Sequence, residues 1–266
     1  MNVNRTIWLD AGHFVKDPGA CSKYGIERDC MMRIRDLLAH KLVNKGFTVL
    51  CVPDDRSLLS SIEWINMTAK GLQSGYALAL HLNANTGVPG VGAEGWYAGG
   101  VEGSEVVTQA RMMMQNILDE YCVVTGYKNR GVLSDERNPI HHRLGFVRDT
   151  KCFAGLIELG FINNQEEMDH FNKNNEQIAQ ALYQGILKAY GISFLETNEE
   201  DMKVDSIRLL NIYDELLFGR PDLGADGYLG MDESEVRRLI MVSPERNKLK
   251  TAIQGIRETA MRASGL

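Results

Sequence analysis

The sequence predicts an α/β fold in which a twisted, mostly parallel sheet is flanked by helices and followed by a small all-helical C-terminal domain. Up to about residue 190, runs typical of buried strands alternate with segments of helical periodicity. The strand candidates are apolar on both faces, which is typical of a sheet that helices cover on both sides. Beyond residue 191 the chain becomes polar and acidic, and only helical patterns follow.

The elements of the α/β domain follow one another in a regular order. The strand candidates are Thr6–Asp10, Phe47–Val52, Tyr76–Asn83, Gly92–Ala98, Leu144–Arg148 and Phe153–Leu159. The helix candidates carry apolar residues at helical spacing. They are Asp29–Lys45, Leu58–Gln73, Ser104–Tyr121, Gln165–Phe171 and Glu176–Tyr190. This alternation indicates that residues 1–191 form a single domain, which we expect to be the catalytic one.

The last part of the chain has a different character. Residues 192–202 are rich in acidic and polar side chains and are interpreted as a linker. Residues 203–266 are interpreted as a small helical domain, because three short helices can share a small core. The helical patterns there are Val204–Phe218, Glu233–Met241 and Glu245–Arg262.

Composition excludes some classes of function. The chain has 266 residues, a net charge of -6 and a pI near 5.6. Since phosphate contacts need a basic face, no nucleic-acid partner is expected. No apolar run reaches the roughly 18 residues of a membrane-spanning helix, and no signal segment precedes the first strand. We therefore expect a protein that is made in the cytoplasm without a signal peptide and has no membrane anchor.

Four titratable residues lie where predicted strands end or where the next turn begins. His13 follows the first strand, and His81 and Glu158 lie near the ends of two others. Glu27 precedes the first predicted helix. The carboxyl ends of parallel strands are where such folds place their sites. His13, Glu27 and His81 are predicted to bind one Zn²⁺ per chain, because two imidazoles and one carboxylate form a three-ligand zinc set with an open position. Glu158 is then available as the general base.

Five short motifs in order add a family resemblance. They are Leu9-Asp10-Ala11-Gly12-His13 with Asp17-Pro18-Gly19-Ala20, Glu27 before the first helix, His81-Leu82-Asn83-Ala84, Asn129-Arg130-Gly131-Val132, and Glu158-Leu159-Gly160-Phe161-Ile162-Asn163-Asn164. Together they resemble the zinc-dependent N-acetylmuramoyl-L-alanine amidases of bacterial autolysins and phage endolysins. The resemblance covers about residues 5–190. Each motif alone is unspecific, and their common order makes the resemblance specific.

The resemblance implies an enzyme that hydrolyses the amide bond between N-acetylmuramic acid and L-alanine in peptidoglycan. It implies that His13, Glu27 and His81 hold the zinc ion and that Glu158 moves the proton. Asn83 becomes a candidate for binding substrate through its amide, with a purely structural role as the alternative. Arg130 becomes a candidate for binding a stem-peptide carboxylate, with a surface ion pair as the alternative.

The expected partner is bacterial peptidoglycan, and the expected role is that of a phage endolysin. The absence of a signal segment suits an enzyme that is stored in the cytoplasm, acts on the cell wall after release and lyses the host. A bacterial amidase for recycled wall fragments is an alternative origin. Another zinc hydrolase of wall peptides (a carboxypeptidase or a deacetylase) and a catalytically silent wall-binding protein are the alternative functions.

The C-terminal helices allow three interpretations. Around Asp226-Gly227-Tyr228-Leu229-Gly230 they resemble a three-helix peptidoglycan-binding module. The same region also resembles a degenerate calcium loop, with Asp222 at position 1 and Glu233 at position 12, although Gly224 removes the ligand at position 3. The third interpretation is packing of the helices into a homo-oligomer.

Overall fold

The computed structural model describes residues 4–138 and 143–192. Within these ranges the chain forms a main sheet, a two-stranded ribbon and helices that pack on both faces of the main sheet. The strands are β1 (Thr6–Asp10), β2 (Cys21–Ser22), β3 (Gly25–Ile26), β4 (Thr48–Cys51), β5 (Tyr76–Asn83), β6 (Ala93–Tyr97), β7 (Asn129–Ser134) and β8 (Phe153–Phe161). The α-helices are α1 (Glu27–Asn44), α2 (Leu58–Thr68), α3 (Glu105–Thr125), α4 (Gly145–Asp149), α5 (Gln165–Lys173) and α6 (Asn175–Ala189).

The order of strands across the main sheet is β4-β1-β5-β8-β6-β7. All neighbouring pairs are parallel except β6 and β8, which run antiparallel. The predicted mostly parallel α/β sheet is therefore confirmed. Because β1, β5 and β8 are adjacent and parallel, their carboxyl ends lie at one edge of the sheet. The reversed direction of β6 brings its amino-terminal end to that same edge.

Two apolar layers hold the sheet between the helices. Alternate residues of the central strands point to opposite faces, so Leu78 belongs to one layer and Ala77 and Ala79 to the other. The first layer joins the sheet to α1, α3, α5 and α6, and the second joins it to α2 and α4. This two-sided burial explains why the central strands read as continuous apolar runs.

The prediction of a strand at Leu144–Arg148 is wrong, because residues 145–149 form the short helix α4. A short apolar run does not distinguish a strand from a helix by its periodicity. Phe146 and Val147 are both buried in the same apolar layer, which adjacent residues in a strand could not be. The buried carboxylate of Asp135 also holds this turn, since it accepts hydrogen bonds from the Leu144 backbone N–H and from Arg148.

The sheet position next to β6 is occupied instead by β7, which the sequence did not predict. β7 is an edge strand that begins with exposed polar residues, so it lacks the apolar run that reveals a buried strand. The helix predicted to reach Gln73 ends at Thr68, and a separate 3₁₀ turn spans Leu72–Ser74. The first helix begins at Glu27, two residues earlier than predicted.

The predicted linker beyond Ile192 and the predicted helical domain at residues 203–266 lie outside the described residues. The wall-binding, calcium and oligomer interpretations of that region therefore remain predictions. Among the helices that the structure describes, none is both long enough and apolar enough to cross a membrane.

The contact between α3 and α6 gives a testable prediction. A Cβ atom on Gly185 of α6 would lie 2.7 Å from the Cα of Ile117 and 2.8 Å from its carbonyl oxygen. We expect Gly185→Ala to lower the free energy of unfolding by about 1–3 kcal/mol, because the α3 backbone must shift. At an unobstructed helical site the same exchange would be stabilising by roughly 0.5–1 kcal/mol. Chemical denaturation therefore tests the close approach of α3 and α6, because the sign of the change in the free energy of unfolding distinguishes the two cases.

The neighbouring substitution Gln184→Ala is the control. Gln184 lies in the same turn of α6 and is only half-buried, so its replacement should change the free energy of unfolding by no more than about 0.5 kcal/mol. Stabilisation by Gly185→Ala would contradict the packing that the structure describes.

Candidate active site

His13 lies in the loop that follows β1, three residues beyond the end of the strand. It is the only non-glycine residue of the described ranges with positive φ, at 58°. The preceding Gly12 also has a φ of 58°, and a Cβ there would lie 2.7 Å from the imidazole ring of His81. The absence of a side chain at Gly12 therefore lets the loop approach β5. A non-glycine residue in this conformation is uncommon, and residues with such backbone strain cluster at functional sites.

Glu27 is the first residue of α1 and is only 3% exposed. Its Oε2 accepts a hydrogen bond from the Ala20 backbone N–H at 2.9 Å, and its Oε1 accepts one from the Leu82 N–H at 3.0 Å. A carboxylate at a helix N-terminus is also stabilised by the helix dipole. These contacts hold the side chain in one position beneath the two imidazoles.

The side chains of His13, Glu27 and His81 converge at this carboxylate. His13 Nε2 lies 3.0 Å from Glu27 Oε2, and His81 Nδ1 lies 2.9 Å from Glu27 Oε1. The donor atoms of the three residues all lie within 4.8 Å of one another. The structure thus brings together the three residues that the sequence predicts as ligands.

The chemistry of these donors suits a zinc ion. Two ring nitrogens and a carboxylate oxygen are typical zinc ligands. Asp17, which the sequence motif contained but to which no role was assigned, lies 2.9 Å from His13 Nδ1. The second carboxylate oxygen of Asp17 accepts the Gly19 backbone N–H at 3.0 Å. Such a partner orients the ring of a metal-binding histidine and leaves its Nε2 for the metal. The cluster could therefore hold a metal ion.

Glu158 lies beside this cluster in the neighbouring strand. In the parallel pairing of β5 with β8, it is the register partner of His81. Its Oε2 is buried and has no hydrogen-bond partner among the described residues. Burial raises the pKa of Glu158; the positive charge of His81 opposes this change, and the charges of Glu27 and Glu94 add to it, so that the pKa is about 7. A carboxylate in this range can both accept and donate a proton near neutral pH.

Glu94, which the sequence did not predict as a site residue, accepts hydrogen bonds from both Asn83 and Arg130. Asn83 Nδ2 donates to Glu94 Oε1 at 3.0 Å, and Arg130 Nε donates to Glu94 Oε2 at 2.7 Å. The ion pair considered for Arg130 therefore exists, although its acidic partner is 6% exposed. The available signal was a single carboxylate inside the predicted strand Gly92–Ala98, since an acidic residue is rarely buried without a partner.

The proposed metal-binding residues and the other candidate residues line one cleft of about 840 Å³. The predicted residues His13, Glu27, His81, Asn83, Arg130 and Glu158 all line it, together with Glu94. The cleft lies at the sheet edge where the carboxyl ends of β5 and β8 meet the amino end of β6. The predicted residues thus occupy a single site, as the rule for open α/β sheets requires.

Comparison with known proteins places this site in a family. A family model described as N-acetylmuramoyl-L-alanine amidase (Amidase_3) matches residues 7–188, which is more than half of the 266-residue chain. The chain belongs to this amidase family. All the residues that line the candidate site lie within the matched range.

Individual relatives of this amidase domain are distant. The endolysin of Bacillus phage SPP1 is 23% identical over 186 residues, which cover 69% of this chain and 65% of the endolysin. The amidase LytC of Bacillus subtilis (strain 168) is 23% identical over 190 residues, which cover 71% of this chain and 36% of LytC. The match therefore spans less than two thirds of either relative.

A solved structure shares the fold of this amidase domain. It is that of an N-acetylmuramoyl-L-alanine amidase from Clostridium difficile 630, with a TM-score of 0.57 and 24% identity. The superposition covers 72% of this chain and 98% of that protein. The likeness therefore involves nearly the whole of the other chain.

The charges of the His13, Glu27 and His81 side chains compensate one another. Burial alone would lower the pKa of His13, but hydrogen bonds and charges from Glu27 and Asp17 outweigh it and raise that pKa to about 9. Burial opposes ionisation of Glu27, but the two imidazoles outweigh it and hold the pKa of Glu27 below its usual range. At neutral pH the metal-free His13 is thus an imidazolium ion, which must lose its proton before its Nε2 can bind a metal.

This proton linkage gives a prediction. The affinity of the metal-free protein for Zn²⁺ is expected to rise as the pH increases towards 9, because less work is then needed to deprotonate His13. Calorimetric titration at pH 7 in two buffers of different ionisation enthalpy should show proton release on binding. An affinity independent of pH, with the same binding enthalpy in both buffers, would contradict this description of the cluster.

Proposed function

We propose that this chain is a zinc-dependent N-acetylmuramoyl-L-alanine amidase that cleaves the amide bond between the lactyl group of N-acetylmuramic acid and L-alanine in peptidoglycan. The observation that carries the proposal is the convergence of two imidazoles and a buried carboxylate beside the partnerless carboxylate of Glu158. Membership of the amidase family supports the same substrate.

His13, Glu27 and His81 would hold the zinc ion in this proposal. Zinc in such a site supplies Lewis-acid polarisation of the scissile carbonyl and lowers the pKa of the attacking water. The chain contributes the fixed geometry: Asp17 orients His13, and the backbone N–H groups of Ala20 and Leu82 hold Glu27. One ion per chain is expected, because the described residues contain one such cluster.

Glu158 would act as the general base and then as the general acid. Its unpartnered oxygen is free to accept a proton from the attacking water. Its raised pKa lets it hold that proton near neutral pH until the more basic amine, which leaves as the N-terminus of the stem peptide, takes it. Glu27 is unsuited to this role, because both of its oxygens are already hydrogen-bonded.

Asn83 in β5 and Arg130 in β7 would contact the substrate from either side of the strand that carries Glu158. Both line the cleft, and Arg130 is partly exposed while its guanidinium lies over the ring of Phe161 at 5.1 Å. A guanidinium that remains accessible can bind a carboxylate of the stem peptide. We therefore retain both residues as substrate-binding candidates.

The biological role that we propose is lysis of a bacterial host as a phage endolysin. The support is the match to the SPP1 endolysin, which extends over 65% of that protein. In this proposal the protein is made in the cytoplasm and reaches the wall after release. A bacterial wall amidase of the LytC kind is the alternative, and the reaction would be the same.

We also propose that residues 203–266 bind the cell wall. The support is the resemblance of their sequence to a peptidoglycan-binding module. A chain ending at residue 193 should still cleave small soluble muropeptides, because every site residue precedes that point. It should clear intact walls more slowly, because tethering raises the effective substrate concentration. Unchanged wall clearing, together with no sedimentation of residues 200–266 with purified walls, would refute this role.

Two substitutions separate the metal from the proton transfer. We expect Glu158→Gln to retain about one zinc per chain and to lower turnover by roughly 10²–10⁴-fold, since general acid–base catalysis contributes about that much. We expect His81→Ala to lose both the metal and the activity. Elemental analysis measures the zinc, and release of new N-terminal alanine from purified walls measures turnover.

Matched controls lie on the surface of the same domain. Glu166→Gln and His40→Ala change the same residue types at exposed positions and should leave zinc content and turnover near those of the unmodified protein. Stoichiometric zinc in His81→Ala would remove that residue from the ligand set. Release of acetate without N-terminal alanine would indicate a deacetylase instead.

A further inference from the structure

Glu94 links three strands of the sheet at the candidate site. It lies in β6 and is the register partner of Glu158 in β8, whose other neighbour is His81 in β5. Its side chain binds Asn83 from β5 and Arg130 from β7. The carboxylate therefore joins residues that lie on both sides of the strand that carries Glu158.

The partners of Glu94 distinguish it from the other two carboxylates of the cleft. One oxygen of Glu94 accepts a hydrogen bond from Asn83 and the other accepts one from Arg130, whereas Oε2 of Glu158 has no partner among the described residues. Glu27 faces the two imidazoles. Glu94 is consequently placed neither to bind the metal nor to accept a proton, and its contacts are with the two substrate-binding candidates.

The contact with Glu94 determines what Asn83 can offer to a ligand. An ionised carboxylate only accepts hydrogen bonds, so the amide of Asn83 must direct its NH₂ group to Glu94. Its Oδ1 then remains as an acceptor and makes no hydrogen bond within the described ranges. Asn83 lines the cleft, so it offers an acceptor for an N–H group of a ligand.

The same carboxylate determines what Arg130 can offer. Its Nε is bound to Glu94, and its Nη1 lies 3.5 Å from the Val91 carbonyl oxygen. The Phe161 ring packs against the guanidinium at 5.1 Å. Nη2 has no hydrogen bond to the described residues, and the side chain is 36% exposed. Arg130 therefore retains donors for an anion while its orientation is constrained on two sides.

We infer that Glu94 is a positioning residue that selects peptides carrying a free carboxylate: it orients Asn83 to accept a substrate N–H and Arg130 to bind the carboxylate. This inference rests on the proposed function, because the stem peptide supplies both groups. Loss of Glu94 would let the Asn83 amide turn its NH₂ group to the ligand and would release Arg130 from its orientation. Recognition would weaken although the metal ligands and Glu158 are untouched.

The test measures binding in zinc-loaded protein that carries Glu158→Gln, so that the ligand is not consumed. Since glutamine does not ionise, a change of charge at position 94 cannot alter binding by changing the protonation of residue 158. The probes are a soluble N-acetylmuramoyl peptide with free carboxylates and the same peptide with its carboxylates amidated. Isothermal titration calorimetry gives both dissociation constants, with thermal denaturation as the measure of folding.

Adding Glu94→Gln is expected to weaken binding of the carboxylate peptide about tenfold or more, the effect of losing hydrogen bonds to a charged group. The amidated peptide should bind the Glu158→Gln protein less tightly than the carboxylate peptide does, and Glu94→Gln should reduce its affinity by a smaller factor. Glu94→Asp retains two acceptor oxygens and should recover part of the affinity. Arg130→Lys retains the positive charge but not the planar guanidinium that can bind a carboxylate through two N–H groups, so it should weaken binding of the carboxylate peptide only. This variant carries the test if Glu94→Gln does not fold.

Equal losses for the two peptides, or an unchanged dissociation constant in Glu94→Gln, would overturn the inference. Failure of the carboxylate peptide to bind the Glu158→Gln protein would overturn it as well. Turnover by the unmodified protein is measured separately as new N-terminal alanine. Turnover without dependence of binding on Glu94 refutes the inference alone, whereas Glu94-dependent binding without turnover refutes the amidase proposal alone.

Discussion

The bridge of the Glu27 carboxylate between two imidazoles is the interaction on which the rest of the site depends. Each of its oxygens accepts one backbone N–H and faces one histidine ring. Burying a carboxylate is unfavourable unless its charge is compensated. At Glu27 the compensation comes from a helix N-terminus, backbone donors and two groups that can carry positive charge. The same arrangement that makes the burial tolerable also suits a divalent cation.

The topology of the sheet explains why these groups meet. The strands β1, β5 and β8 are adjacent and parallel, so the residues at their carboxyl ends share one edge. The helices on both faces keep the strands dry and apolar, and polar side chains are tolerated only where the strands open into loops. The loop carrying His13 can reach β5 because Gly12 has no side chain to collide with the ring of His81.

The reversal of β6 adds a further carboxylate to the same edge. Three acidic side chains, Glu27, Glu94 and Glu158, consequently line one cleft. Their partners separate them chemically: Glu27 faces imidazoles, Glu94 faces a guanidinium and an amide, and Oε2 of Glu158 faces none among the described residues. Burial raises the pKa of Glu158 most, and repulsion from Glu27 and Glu94 adds to this effect. Different surroundings are the usual way in which neighbouring acids acquire different roles.

The sequence by itself determined the α/β class and five of the six strands of the main sheet. It also selected six candidate site residues, which the structure brings into one cleft: His13, Glu27, His81, Asn83, Arg130 and Glu158. Those features depend on local apolar patterns and on motif order, which a single chain displays. Long-range packing, which no local pattern displays, decided how the strands pair. The edge strand β7 lacks an apolar run, and the apolar run that begins at Leu144 is too short to reveal its period.

Only the tertiary structure decided that Glu94 belongs to the site. Its strand was predicted, but the direction of that strand, and therefore the edge at which Glu94 lies, depends on pairing with β8, a strand more than fifty residues further along the chain. Likewise Asn83 and Arg130 are 47 residues apart, and nothing in either motif shows that they bind one carboxylate. Local sequence determines which side chains are present at the ends of elements, whereas long-range packing determines which of them become neighbours.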